Sequence, residues 1–199
     1  MTAVLSIAVA DDEPRMRDYY RSTLPLLGHR VDVAARNGLE LVELCRGARP
    51  DLIITDIKMP DGDGIDAAAE VSRQAPVPVI IVSAYHAPEF VERARAEHIL
   101  AYLVKPIKQA DLEAAIGIAM QRFAQFQALR GEAANLRQAL EDRKVIERAK
   151  GVLMRRGPPD EEAAFRRLQE LASERKRRLV EIARMILLAD ETAAPEEKA

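Results

Sequence analysis

Four short apolar runs, each delivering a reactive side chain at its end, limit what this chain can fold into more than any other feature. VLSIAVA leads to Asp11 and Asp12, DLIIT to Asp56, PVIIV to Ser83 and AYLV to Lys105. Val- and Ile-rich runs that do not alternate with polar residues, and that helical patterns separate, read as strands of a parallel sheet covered on both faces. In an open sheet of this kind the carboxyl ends of the strands line the crevice where ligands bind. The five residues can therefore meet at one point although they are scattered over the first half of the sequence.

Breakers mark the joins. Strand and helix alternate five times over the first ~120 residues. Asp12-Glu13-Pro14 places a capping carboxylate before a first-turn proline, and Asn37-Gly38 precedes the second helix. Pro25 is expected to end the first helix early, because it removes a donor and clashes with the preceding turn. Pro76 and Pro78 bracket the entry to the fourth strand, where proline is tolerated.

From Gln109 the pattern turns helical for some forty residues. Leu112, Ile116, Ala119, Phe123 and Phe126 follow the spacing of a coiled-coil seam. The register slips by one short step, as at a stammer, and Leu129, Ala133, Leu136 and Leu140 resume it. A helix this long is expected to have a partner, so the stretch reads as a dimer stalk. Three further helices follow: VIERAKGVLMRRG, stopped by Gly157-Pro158-Pro159; DEEAAFRRLQELASE, started by Asp160; and KRRLVEIARMILLADE, with no clear cap. The expected division is an α/β domain over 1–122, a coiled-coil linker helix over 123–140, a small helical domain over 141–190 and a flexible acidic tail over 191–199. Leu153, Leu168, Leu171, Met185 and Phe165 fit the apolar spacing of the helical core.

Charge separates the two ends. Residues 1–120 hold 13 Lys/Arg against 18 Asp/Glu, and residues 121–189 hold 16 against 10. An acidic head joined to a basic tail suits a cation site in front and a polyanion site behind. No apolar stretch approaches the ~20 residues of a membrane span and no signal peptide opens the chain, so a cytoplasmic protein without a membrane partner is expected. The lone Cys45 excludes a disulfide framework and reads as a small buried apolar group.

The residues that converge have a definite chemistry. Mg²⁺ takes hard oxygen ligands, which Asp11, Asp12 and Asp56 supply, with the backbone carbonyl of Lys58 available to complete the set. Once the metal offsets the negative charge, Asp56 can act as nucleophile toward a phosphoryl group. Lys105 offers a fixed positive charge to the phosphoryl oxygens, and Ser83 a hydroxyl that can follow them. Asp61-Gly62-Asp63-Gly64 lacks the other acidic positions of a calcium loop. His29, His86 and His98 are not spaced as metal ligands.

Asp11-Asp12-Glu13, Asp56-Ile57-Lys58-Met59-Pro60 with Asp61-Gly62-Asp63-Gly64, Ser83-Ala84 and Lys105-Pro106 together resemble the receiver domain of bacterial response regulators, over roughly residues 4–125. The resemblance implies a flavodoxin-like, doubly wound α/β fold with five parallel strands in the order 2-1-3-4-5. It implies Asp56 as the phosphoacceptor, Asp11 and Asp12 as the metal-holding pair, Ser83 as the switch hydroxyl and Lys105 as the phosphoryl-sensing lysine. It also implies a cis Lys105–Pro106 bond, Tyr102 as the switch aromatic, and a partner histidine kinase. Phosphorylation is then expected to alter the face formed by the helix before the fifth strand, that strand and the helix after it. Such a protein is a signalling acceptor, not an enzyme. A Mg²⁺-dependent phosphatase with an aspartate nucleophile is the enzymatic alternative, but such enzymes commonly place a second acid where this chain has Lys58.

The tail has its own resemblance. Ile146, Ala149-Lys150-Gly151, Leu153-Met154, Glu162-Ala163-Ala164-Phe165, Leu168, Leu171-Ala172, Leu179-Val180 and Ile182-Ala183 are similar to the ANTAR domain, a three-helix RNA-binding module. The chain departs from that family at Arg175-Lys176-Arg177-Arg178, where a small polar residue is usual. Its one aromatic past the stalk, Phe165, fits the core, so the tail has no stacking platform, and binding would rest on phosphate contacts and on arginine planes against loop bases. The candidates are Arg148, Lys150, Arg155, Arg156, Arg175, Lys176, Arg177 and Arg178. The residues alone do not separate RNA from DNA or a protein partner. The resemblance implies an RNA stem-loop, homodimerisation on phosphorylation and transcription antitermination.

Overall fold

The computed structural model describes residues 3–84, 99–157 and 160–193. They fall into two compact units, Met1–Ala128 and Leu129–Ala199. The helix expected between the fourth and fifth strands, His86, His98, Pro158-Pro159 and most of the acidic tail lie outside the described residues.

In the first unit β1 (Ser6–Ala10), β2 (Arg30–Ala35), β3 (Leu52–Asp56), β4 (Val79–Ser83) and β5 (Ile99–Val104) form one sheet in the order β2-β1-β3-β4-β5. Every pairing is parallel. β1, β3 and β4 are buried along their whole length, which is why their sequences do not alternate. Helices α1 (Pro14–Leu26), α2 (Gly38–Ala48) and α3 (Gly64–Gln74) connect the first four strands. Successive side chains of a strand point to opposite faces, so the sheet carries two cores. Ala8, Ile53 and Ile81 meet Leu41, Ile65 and Val71 on one side. Val9, Ile54 and Ile80 meet Tyr20, Leu24, Leu112 and Ile116 on the other. Cys45 is buried in the first of these, and burial pushes its thiol up to about 11.

The caps are partly as expected. Asn37 accepts the Glu40 N–H at the start of α2, and Asp63 accepts the Ile65 N–H at the start of α3. At α1 the proline does occupy the first turn, but the cap is Glu13, whose side chain makes no capping bond. Instead Asp11 Oδ1 reaches forward to the Glu13 N–H at 3.0 Å. Pro25 does not stop α1 before itself; the helix runs through it and ends at Leu26. Pro25 has no N–H to give the Arg21 carbonyl, but the turn still closes behind it, because the Leu27 and Gly28 N–H groups donate to the Thr23 and Pro25 carbonyls.

The largest correction concerns the stalk. Helix α4 is a single element of 48 residues, Gln109–Arg156, so the linker and the first helix of the tail are continuous. Leu112, Ile116 and Ala119 are not a dimer seam; they are buried in the sheet's own second core. The later row, Leu129 to Leu140, is out of register with them by helical spacing. The apparent stammer is the helix changing which face is apolar. Leu129, Leu136 and Leu140 are exposed.

In the second unit the end of α4 packs with α5 (Glu161–Glu174) and α6 (Leu179–Ala193) around Ala149, Leu168, Ile182 and Ala183. Asp160 caps α5 by accepting the Ala163 N–H. Leu153 and Leu171 join this core as expected. Met185 does not, being 45% exposed, and Phe165 is only half-buried.

Candidate functional site

The sheet order brings the acidic residues together. β1 and β3 are neighbours with Ala10 opposite Thr55, so Asp11, just past one strand, lies beside Asp56 at the end of the other. Asp11 is fully buried, Asp56 is buried and Asp12 is exposed. One carboxylate oxygen from each of Asp11, Asp12 and Asp56 lies within 4.8 Å of the others. Ser83 pairs with Val104 across β4 and β5, and the Lys105 N–H donates to the Ser83 carbonyl at 3.0 Å. Ser83 and Lys105 therefore leave adjacent strands side by side. The Lys105–Pro106 bond is cis, as expected.

Lys105 closes the site. Its Nζ lies 2.6 Å from Asp56 Oδ2, 2.9 Å from Asp11 Oδ2 and 3.4 Å from Glu13 Oε1. Burial by itself would push this ammonium down, but hydrogen bonding to Asp56 and Asp11 outweighs it and holds the lysine above its ordinary value. Burial pushes Asp11 up, and the lysine offsets only part of that. On its other oxygen Asp56 accepts the N–H groups of Ile57 and Lys58, at 2.6 and 3.3 Å. The carboxylate is thereby fixed in direction before any ligand arrives.

The donor set fits a hard divalent cation. Asp11 Oδ2 is buried, with Lys105 Nζ at 2.9 Å on one side of it. A buried carboxylate oxygen with an unused lone pair, beside two further carboxylates, suits an oxygen-seeking ion such as Mg²⁺. Lys58 lies on the exposed loop just after β3, tied to Asp56 through its own N–H.

Two site residues had no role assigned from sequence. Arg17 Nη1 donates to the backbone carbonyls of Asp11 and Asp12, at 2.7 and 3.0 Å, clamping the loop that presents the acidic pair. Gly64 packs against the end of β3, where an added Cβ would overlap the Asp56 carbonyl oxygen and crowd the Thr55 hydroxyl. The glycine was visible in the sequence; its reason was not. Tyr102 is half-buried on β5, opposite Ile81, against the first core.

The basic candidates of the tail divide into two kinds. Lys150 is 7% exposed, with Glu147 and Glu161 at 2.7 and 2.6 Å and the Phe165 ring centroid at 5.7 Å. Hydrogen bonding to Glu147 first and Glu161 second pushes its ammonium up. It ties α4 to α5 in this structure, its ammonium held between two carboxylates. Arg155 faces Asp190, Arg177 faces Glu181 and Arg178 faces Asp142 at 2.8, 3.7 and 3.8 Å. Arg148, Arg175 and Lys176 are exposed with no carboxylate partner among the described residues. Lys176 adopts φ 50°, so the α5–α6 turn holds it in a left-handed conformation. The side chain of Arg156 lies outside the described residues.

A flavodoxin-like sheet with three carboxylates and a lysine at its carboxyl edge defines a receiver. The family description "Response regulator receiver domain" matches residues 7–117, and "ANTAR domain" matches residues 134–187. The chain belongs to the response regulators that join these two domains. It is 39% identical over 181 residues to the transcriptional regulatory protein PdtaR of Mycobacterium tuberculosis, covering 91% of this chain and 88% of that protein. Among solved structures it resembles the signal receiver domain of NarL from the same organism, with TM-score 0.54 and 28% identity over 58% of this chain and 94% of that one. The receiver domain of a diguanylate cyclase from Desulfovibrio desulfuricans G20 gives TM-score 0.56 and 26% identity, over 60% of this chain and 96% of that one. Response regulators of this architecture are signalling proteins, and their ANTAR domains bind RNA. Among the described residues no helix is long and apolar enough to cross a membrane.

Proposed function

We propose that this chain is phosphorylated on Asp56 by a partner histidine kinase in the cytoplasm, and that phosphorylation controls an RNA-binding antiterminator. The observation that carries the reading is the convergence of Asp11, Asp12, Asp56 and Lys105 at one edge of the sheet. An Asp56 oxygen attacks the phosphorus of a phosphohistidine; the N–P bond breaks, its electron pair stays on the imidazole, and a mixed anhydride forms on the aspartate. Asp11, Asp12, Asp56 and the Lys58 carbonyl would hold Mg²⁺, which when bound would supply positive charge to offset the carboxylates and the phosphoryl oxygens. Lys105 then exchanges its contact with Asp56 for one with the new phosphoryl oxygens. Ser83 follows with its hydroxyl, and Tyr102 turns in behind it.

The charge change is large enough to drive a switch. A phosphoryl group adds roughly −1.5 to −2 charges and three acceptor oxygens. Moving a two-state equilibrium from about 1:99 to 99:1 needs about 5.5 kcal/mol, part of which dimerisation and RNA would contribute. Two paired output domains would then hold an RNA stem-loop and prevent a terminator from forming. The test is phosphorylation by acetyl phosphate with Mg²⁺. The native chain takes up one phosphoryl group, whereas Asp56→Asn keeps its fold and takes up none; labelling that persists in Asp56→Asn removes the reading.

A further inference from the structure

Two arginines of the α6 region are drawn to one carboxylate of α4. The Asp142 side chain is 18% exposed where α4 meets α6. Arg184 Nη2 lies 3.4 Å from its Oδ1, and Arg178 Nη2 lies 3.8 Å from its Oδ2. Gln138 Nε2 donates to the same Oδ1 at 2.7 Å. Residues six apart are not neighbours on a helix surface, so the common carboxylate is what gathers the two guanidinium heads. The arginine side chains themselves are 76% and 59% exposed. A guanidinium carries five N–H donors in a planar fork, and each of these commits one nitrogen to Asp142 at long range.

Arg178 brings a second feature. Its carbonyl accepts the Glu181 and Ile182 N–H groups at 3.0 and 3.2 Å, so it stands at the cap of α6. An arginine side chain has no oxygen with which to cap the first turn, so the positive end of the helix also favours an anion from outside. Arg175 and Lys176, both exposed, lead directly into this place.

We propose that Arg178 and Arg184 form a clamp for a phosphodiester of the RNA, and that Asp142 occupies the clamp until RNA arrives. The proposal rests on the RNA-binding reading above and adds to it a contact residue, Arg184, and a competitor within the same domain. A carboxylate and a phosphodiester offer an arginine fork the same pair of anionic oxygens. Long, exposed ion pairs contribute little, so a phosphate displaces them readily, and the Gln138 bond keeps Asp142 in place when it does. The competitor lowers the affinity of the clamp for any single phosphate. A chain of phosphates that also reaches Arg175 and Lys176 is therefore favoured over an isolated anion.

The test uses the full chain with Mg²⁺ and beryllium fluoride. Hairpin RNAs with randomised loops are selected on it, and the selected hairpin is titrated at several salt concentrations. Arg184→Ala is expected to weaken binding roughly five- to tenfold near ~0.1 M salt and to lower the slope of log K against log salt by about 0.7–0.9. Arg184→Lys, which keeps the charge and loses the fork, should recover the slope. Asp142→Asn keeps an oxygen for Gln138 and should tighten binding about threefold, the effect of one exposed ion pair. In a background of Arg178→Ala with Arg184→Ala it should change nothing. Affinity and slope that ignore Arg184→Ala overturn the clamp. Weaker binding in Asp142→Asn, or a gain that persists without the two arginines, overturns Asp142 as competitor. Duplex DNA of the same sequence that binds as tightly, with the same response to every variant, overturns the assignment to RNA. A native chain that selects no hairpin removes the RNA-binding reading itself, and the clamp with it.

Discussion

Gly64 lies so close to the carbonyl of Asp56 that a side chain of any size would overlap the oxygen. The Gly64 N–H also donates to the Ile57 carbonyl at 2.9 Å, so the start of α3 is pinned to the loop leaving Asp56. The position of the Asp56 carboxylate thus depends on an atom that is absent.

Gly64→Ala should consequently be far more damaging than its size suggests. Overpacking of this kind costs about 1–3 kcal/mol and displaces the backbone. Urea unfolding is expected to give a lower midpoint, and acetyl phosphate a slower phosphorylation. A variant of native stability and rate would contradict the close approach.

Magnesium should stabilise the folded chain, because it binds the native carboxylates and not the unfolded ones. Asp11→Asn removes the charge of the buried carboxylate and is expected to abolish the Mg²⁺-induced rise in melting temperature. Arg17→Ala should reduce the apparent Mg²⁺ affinity without touching any ligand, because it releases the two carbonyls that position the acidic pair. Arg17→Lys should recover part of it. A full Mg²⁺ response in both Asp11→Asn and Arg17→Ala would place the ion elsewhere.

The basic residues of the tail should separate by phenotype. Lys150→Ala removes the cation between Glu147 and Glu161 and is expected to lower the melting temperature of the output helices. Arg175→Glu with Lys176→Glu should leave stability unchanged, weaken RNA binding and reduce the slope of log K against log salt by about one for each phosphate left without its cation. The reverse assignment, with Lys150 altering only the salt slope, would restore it as an RNA contact.

Stability should fall on mild acidification through His29. Its ring is buried, and its Nδ1 accepts the Leu5 N–H at 3.4 Å, which a protonated ring could not do. Burial lowers its folded value below the ordinary 6.5. The unfolded chain therefore takes up the proton first. The contribution is complete above about pH 6.5, declines as pH drops through that value, and levels off below the folded value. His29→Gln should flatten this part of the profile in chemical denaturation across pH 5 to 8; an unchanged profile would assign the loss to other groups.

Much of the receiver was legible because its information is local. Unbroken Val and Ile runs mean strands buried on both faces, and the residue after each run must then lie at the sheet's edge. Asp11, Asp12, Asp56, Ser83 and Lys105 could be named on that basis, and the sheet does gather them. The tail was less legible. Lys150 and Arg175 have the same charge and look alike as letters, yet one is enclosed by Glu147, Glu161 and Phe165 and the other is open. Likewise Leu112 and Leu136 both fit a seam by spacing. Only the packing shows that one serves the sheet and the other is left free.

The sequence by itself determined the five strands, their succession along the chain, and the chemistry that stands at the strand ends, because these follow from periodicity and residue type. The tertiary structure alone decided that Arg17 clamps the acidic loop, that Gly64 must be bare, that Lys150 is a brace, and which face of α4 stays exposed. These are properties of pairs brought together from distant positions, and a one-dimensional pattern records each partner without recording their meeting.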